Sequence, residues 1–375
     1  MNKQRISQHI HQDINVVHYS SRWLPLTMAW LYDEIRFLPA HIRNHIACET
    51  IVNEDLFALT DVCIQAEPLT TVIQSSNAQI LHSHFANAGW VNMESARQEG
   101  IKHIVSCYGF EISRLPKIAP IWIARYLELF EHADAILCEG EHMAKTILDL
   151  GCLPEKLRVH RLGVDLERIS FRPRVWQPGQ KLRVLIAGTF TEKKGIPIAL
   201  EALGRLRQEV KNLEISIIGN MHPHKSDGAA IKAEIMRTIT KHGMWACTRF
   251  LGFVPHDVML QEAYAHHVFV SPSVTAVDGD SEGGAPVSII EMAASGMPIA
   301  STKHCDIPGV LGAANRGFLS EEGDYEGLAD RILSMLNVAD WRIMVSENRQ
   351  HIEQHFSAVE QGKRLAELYR DTAAK

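Results

Sequence analysis

Residues 280–298 read DSEGGAPVSIIEMAASGMP, and the rest of the chain is organised around this stretch. An acidic loop and two glycines, Gly283 and Gly284, lead through Ala285 and Pro286 into an apolar run that begins at Val287. Proline suits the first turn of a helix because its missing N–H would be unpaired there anyway. Gly296 then stops the helix, and Pro298 prevents its return. The spacing predicts a short helix from about Pro286 to Ser295, fed by a Gly-rich turn. The amino end of such a helix offers unpaired N–H groups and partial positive charge, which suit a phosphate. Glu282 stands in front of it and Glu291 within it. Carboxylates beside a phosphate need hydroxyl donors, and sugar hydroxyls supply them. A Gly-Gly turn before a helix is by itself a common structural feature. With the two glutamates around it, the turn points to a sugar nucleotide.

A chain of 375 residues is too long for one ordinary core and suits two domains. An apolar content of 46% with 22% charged residues is that of a globular protein, and the net charge of −6 argues against a nucleic-acid binder. Seven cysteines, scattered and never in a CxxC pair, fit free thiols better than a disulfide framework or a zinc site. No stretch approaches the ~18 apolar residues of a membrane span, and the first residues lack a signal-peptide core. A cytoplasmic protein is expected, with peripheral contact at the inner face of a membrane left open.

Short apolar runs alternate with amphipathic ones. In the first half, strands are expected at Ile14–Tyr19, Ile46–Val52, Ala58–Ile64, Gln79–His82, His103–Ser106, Ala133–Cys138 and Arg158–Leu162. Helices are expected near Thr27–Leu38, Leu69–Ser75, Ala88–Gln98, Ile118–Phe130 and Glu141–Leu150. Residues Phe171–Gln180 (FRPRVWQPGQ) interrupt the pattern and read as a linker. Alternation then restarts with strand Arg183–Ala187 and runs through Val268–Ser271 and the opening stretch to strand Ile299–Ser301, with helices to the end. This is an α/β pattern of two doubly wound, Rossmann-like domains, over about 1–172 and 182–355, whose ligands sit beyond the carboxyl ends of the strands. The crevice between them is the natural site.

Read whole, DGDSEGGAPVSIIEMAASGMPIAST resembles the donor-binding signature of the retaining glycosyltransferases of family 4, in which two glutamates bracket a Gly-rich turn and helix. Eight residues separate Glu282 from Glu291, one more than is usual, and glycine can absorb the addition. The segment GTFTEKKG at 188–195 resembles the family's phosphate-binding turn: Lys194 matches its lysine, and Thr189 stands where an arginine is usual, so Arg161 or Lys193 would have to substitute. VSCYGFEIS at 105–113 resembles the segment that faces the donor sugar, with Tyr108 in place of a histidine and Gly109 and Glu111 in the remaining places. A tyrosine there can still donate a hydrogen bond. Near FLGFVP at 250–255, Phe253 and Val254 match a region that contacts the nucleotide base. The loop 20–27, with Trp23, Pro25 and nearby Trp30, is similar to the branch that makes bacterial exopolysaccharides such as colanic acid.

The resemblance covers about Ile14 to Tyr369 and implies the GT-B architecture, with a terminal helix over 356–375 crossing back to the first domain. It implies transfer of a sugar from a UDP- or GDP-sugar to a glycan or lipid-linked glycan hydroxyl, with retention and no cofactor. Glu282, Lys194 and Tyr108 are the candidate catalytic residues. Thr189, Lys194, Phe253, Val254, Gly283, Gly284, Ala285, Pro286, Val287 and Glu291 would bind the donor; Tyr108, Gly109 and Glu111 would face the sugar and acceptor. The same fold could serve a sugar-nucleotide epimerase or a non-catalytic binder. No metal is expected: the pairs His82/His84, His222/His224 and His351/His355 have spacings that could share one, but the glutamate near His351/His355 is misplaced for the HExxH zinc pattern, and Asp278 and Asp280 resemble a cation-holding pair whose charge the helix terminus and lysine normally supply in this fold.

Overall fold

The computed structural model describes residues 13–221 and 227–375, so the pair His222/His224 lies outside the described residues. The first half carries strands β1 (Ile14–Tyr19), β2 (Ile42–Ala47), β3 (Cys63–Gln65), β4 (Ile80–His84), β5 (Lys102–Cys107), β6 (Ala135–Cys138) and β7 (Leu157–Val159). They form one parallel sheet in the order β3-β2-β1-β4-β5-β6-β7. The second half carries β8 (Leu182–Ala187), β9 (Leu213–Ile218), β10 (Thr248–Gly252), β11 (Val268–Ser271) and β12 (Ile299–Ser301), parallel in the order β10-β9-β8-β11-β12. Central strands such as β4 and β11 are buried along their whole length, as strands covered by helices on both faces must be. The result is two doubly wound halves facing a central cleft.

Five helices position the cleft: α1 (Ala29–Arg36), α2 (Ile196–Leu206), α3 (Val287–Ala294), α4 (Arg342–His355) and α5 (Ala358–Ala373). The opening stretch folds as read, with α3 starting one residue after Pro286. The strand expected at Ile46–Val52 lies earlier, at β2, because β2 must pair in register with β1, Ile42 opposite Ile14. The strand expected at Ala58–Ile64 shrinks to β3, an edge strand with a single neighbour. The expected linker has no regular structure yet is not loose. Buried Arg174 donates to the carbonyls of His266, Ala263 and Ser295 and so fastens the connection to the second half. Helix α5 returns to the first sheet, where Leu365, Ala366 and Tyr369 pack with Ile14, Val16, Ile80 and Ile104. All seven cysteines are free, and no helix among the described residues is long and apolar enough to cross a membrane.

Candidate functional site

A cavity of about 480 Å³ lies where the carboxyl ends of the two sheets face each other. The second half lines it with Gly188 and Thr189 after β8, Gly219 after β9, Phe253 and Val254 after β10, and Ala285 to Ser288 at the amino end of α3. The first half contributes Phe85, Tyr108 and Glu139, which follow β4, β5 and β6, together with Trp30 on α1. Lys193, Lys194 and Glu282 complete the wall. Eight sequence-predicted donor-side residues therefore meet in one cavity: Thr189, Lys194, Phe253, Val254, Glu282, Ala285, Pro286 and Val287. Helix α3 has no side-chain cap, so its first N–H groups are left for whatever fills the space. Of the two candidates to replace the missing arginine, Lys193 lines this cavity, whereas Arg161 lines a small neighbouring one.

The charges here are paired across the turn. Lys194 Nζ lies 2.8 Å from Glu282 Oε2, and Ser273 Oγ donates to Glu282 Oε1 at 2.8 Å. Burial alone would raise the Glu282 pKa, but Lys194 and Lys193 outweigh it and hold the carboxyl at about 2. Lys193 Nζ donates to Asp280 Oδ1 at 3.1 Å and to the Ser281 carbonyl at 2.8 Å. Asp278 pairs with Arg114 of the first half at 2.6 Å. Both aspartates of the DGD segment are thus matched by a protein cation. Glu291, within α3, accepts from His256 Nε2 at 2.6 Å and borders an adjoining cavity of about 360 Å³.

The two glycines have a different role from the one expected. Gly283 and Gly284 are buried and do not line the main cavity. A Cβ on Gly283 would lie 2.5 Å from Gly109 Cα, and one on Gly284 would lie 2.2 Å from Glu139 Oε2. A Cβ on Gly109, at φ 138°, would lie 2.8 Å from the Glu282 carbonyl oxygen. The turn is Gly-rich because the first half sits directly on it, and the residues of α3 that line the cavity are Val287 and Ser288.

Glu111 also departs from expectation. It is fully buried, its Oε1 accepts the Tyr108 N–H at 2.6 Å, and it does not reach the cavity. Burial pushes its carboxyl up to about 7. It braces the turn after β5, and Gly109 lies behind the wall with it. Tyr108 does reach the cavity, packed at a ring-centroid distance of 4.2 Å from Trp30 and 5.0 Å from Phe85. Two carboxyls went unread in the sequence. Glu34, one turn beyond Trp30 on α1, has no hydrogen-bond partner on either oxygen, and burial pushes it up to about 8. Glu139 lines the cavity, and burial with the neighbouring Glu111 and Asp306 raises it well above the usual carboxylate range. Among the described residues, the paired histidines of β4, His82 and His84, come together with His18 of β1. His351 and His355 lie with tilted rings 4.7 Å apart on α4, and His351 Nε2 bonds the Gly309 carbonyl.

The family model of glycosyl transferases group 1 matches residues 168–352, and that of Glycosyltransferase Family 4 matches residues 58–168. A relative described as a putative colanic acid biosynthesis glycosyltransferase, WcaL of Salmonella typhimurium, is 30% identical over 318 residues, covering 83% of this chain and 73% of the relative. The amylovoran biosynthesis glycosyltransferase AmsK of Erwinia amylovora is 29% identical over 296 residues, 78% of this chain and 70% of its own length. The crystal structure of Anabaena Alr3699/HepE in complex with UDP-glucose shares the fold, with a TM-score of 0.76 over 96% of this chain and 100% of that one at 16% identity.

Proposed function

The chain belongs to the GT-B glycosyltransferases that these relatives and both family models define, and from that premise we propose that it moves a sugar from a nucleotide diphosphate sugar to an acceptor hydroxyl, with retention, in the synthesis of a bacterial exopolysaccharide. The observation that carries the proposal is the Lys194–Glu282 pair at the uncapped amino end of α3, inside a cleft roofed by the other sheet. The glycosyltransferase activity for which the relatives are named favours transfer over an epimerase or a non-catalytic binder. The UDP-glucose held by the Anabaena neighbour supports a nucleotide-sugar donor.

In the proposed reaction the bond from the sugar C1 to the diphosphate oxygen breaks, and C1 bonds to the acceptor oxygen. The acceptor proton passes to the departing diphosphate. Negative charge grows on that diphosphate, where Lys194, Lys193 and the N–H groups of Val287 and Ser288 stand preorganised to receive it. Glu282 guides Lys194 and meets the sugar. Phe253 and Val254 border the base, Glu291 exchanges His256 for ribose hydroxyls, and Tyr108 closes the sugar end. The donor's own diphosphate serves as base, so no further cofactor enters this scheme. A lipid-linked glycan at a membrane face is the acceptor class we propose. The test is a thermal-shift screen of UDP- and GDP-sugars, followed by release of nucleotide diphosphate with an acceptor present and the product's anomeric configuration read by NMR. Lys194→Ala should lower turnover by roughly 10²–10³-fold. Turnover within about twofold of the parent, or an inverted product, would remove the assignment.

A further inference from the structure

Behind Tyr108 lies a buried polar cluster that the reaction scheme does not use. His18, on β1, is adjacent in register to His82 on β4, and His84 shares their face two residues on. All three imidazoles are at most 1% exposed, so each ring nitrogen must find its partner inside the protein. His18 Nε2 meets Asn44 Oδ1 at 3.1 Å, and His18 Nδ1 meets His84 Nε2 at 3.1 Å. His84 Nδ1 meets the Tyr108 hydroxyl at 2.6 Å. His82 Nε2 meets Ser106 Oγ at 2.8 Å, and His82 Nδ1 meets the Tyr369 hydroxyl, on α5, at 2.7 Å.

The direction of each link from Asn44 to Tyr108 follows from one end. An amide oxygen only accepts, so His18 carries its hydrogen on Nε2. A neutral imidazole has one donor and one acceptor, so His18 Nδ1 accepts from His84 Nε2–H. His84 Nδ1 must then accept, and the Tyr108 hydroxyl donates to it. Resting on the transferase reading for its functional meaning, we infer that Asn44, His18, His84 and Tyr108 form one directional hydrogen-bond chain from β2 to the cleft, which leaves Tyr108 no hydrogen to offer a ligand. Tyr108 therefore selects a ligand hydroxyl, which can donate to it, against a carbonyl or carboxylate oxygen, which cannot. This reverses the role expected from the sequence. His84, His18 and Asn44 are positioning residues that act through Tyr108. The order requires uncharged rings, and burial does lower His18 to about 4 and His82 and His84 well below their ordinary value.

The decisive measurement is NMR of the full chain with isotope-labelled histidine at neutral pH, which reports which ring nitrogen carries hydrogen. His18 and His84 should both show the Nε2–H form. Tyr108→Phe should shift the Nδ1 resonance of His84 alone. Asn44→Leu should replace the single tautomer at His18 and His84 by an average, while Asn44→Asp, which keeps an acceptor oxygen, should restore it. Because Asn44 is only half-buried and Tyr108→Phe is conservative, at least one of these proteins is expected to fold. An Nδ1–H form at His84, a charged ring, or stoichiometric zinc on the three histidines by mass spectrometry overturns the inference. The outcomes separate cleanly: the Nε2–H set without any donor turnover keeps the chain and sinks the transferase reading, and turnover with the Nδ1–H set does the reverse.

Discussion

Replacing Glu282 by glutamine removes one negative charge from a site that holds two lysines. Its carboxyl sits at about 2 rather than the ordinary 4.5, because Lys194 and Lys193 outweigh its burial. With its side chain 6% exposed, little solvent screening intervenes. The ionised form is then worth on the order of 3 kcal/mol to the folded state at neutral pH. The sign is that of a depressed acid: the contribution is full above pH 4.5 and is lost as the pH falls through 2. The stability difference between the parent and Glu282→Gln should therefore shrink from about 3 kcal/mol near pH 7 to about 2 at pH 3.5, and to below ~1 near pH 2.5. Guanidinium denaturation across that range, following the transition of the second half, reads it directly. Parallel pH profiles for the two proteins would refute the coupling of Glu282 to the lysines.

Glu34 should show the opposite slope. Its folded value of about 8 lies above that of an unfolded glutamate, so its favourable share is complete in acid and lost as pH rises towards 8; Glu34→Gln should flatten that decline, gaining on the parent by on the order of 3–5 kcal/mol between pH 4 and 8 in denaturation experiments. Gly283→Ala meets both a left-handed backbone at φ 76° and the Gly109 contact, and should cost more than the ~1–3 kcal/mol of the backbone conformation alone. Gly179→Ala, at φ 90° with nothing near its Cβ, is the control in the same thermal assay, and equal losses would deny the contact its role. Glu291→Ala should weaken UDP or GDP binding roughly tenfold or more by calorimetry. A deoxyribose analogue should lose affinity for the parent but not for the variant; equal losses in both would exclude a ribose grip.

How much of this was legible depended on whether the cause was local. The helix that starts beside Pro286 and ends before Gly296 is set by turn chemistry within a few residues, and the sequence predicts it to within one residue at each end. Lys194 and Glu282 fall in one cavity because each follows a strand end of the same sheet, a property of parallel sheets that the alternation of strands and helices already implies. Gly283 and Gly284 invited a ligand explanation, whereas the cause is a backbone some 170 residues earlier, at Gly109, together with Glu139. A glycine that admits a phosphate and one that admits another backbone read alike, and the distinction lies in what the opposing half places there.

The N-terminal side was harder for the same reason. The alternation His82-Ser83-His84 puts both imidazoles on one face of a strand, so their proximity was open to a sequence reading. Their partners His18, Asn44 and Tyr369 come from two other strands and the last helix, and only the register of β1 against β4 and the return of α5 bring them together. That same return explains why a helix so far along the chain bears on the cleft: Tyr369 is fully buried beneath the first sheet, and its hydroxyl meets His82, whose ring packs 4.3 Å from that of His84, the partner of Tyr108. Motion of α5 relative to the first sheet would therefore disturb a cavity wall to which α5 contributes no residue.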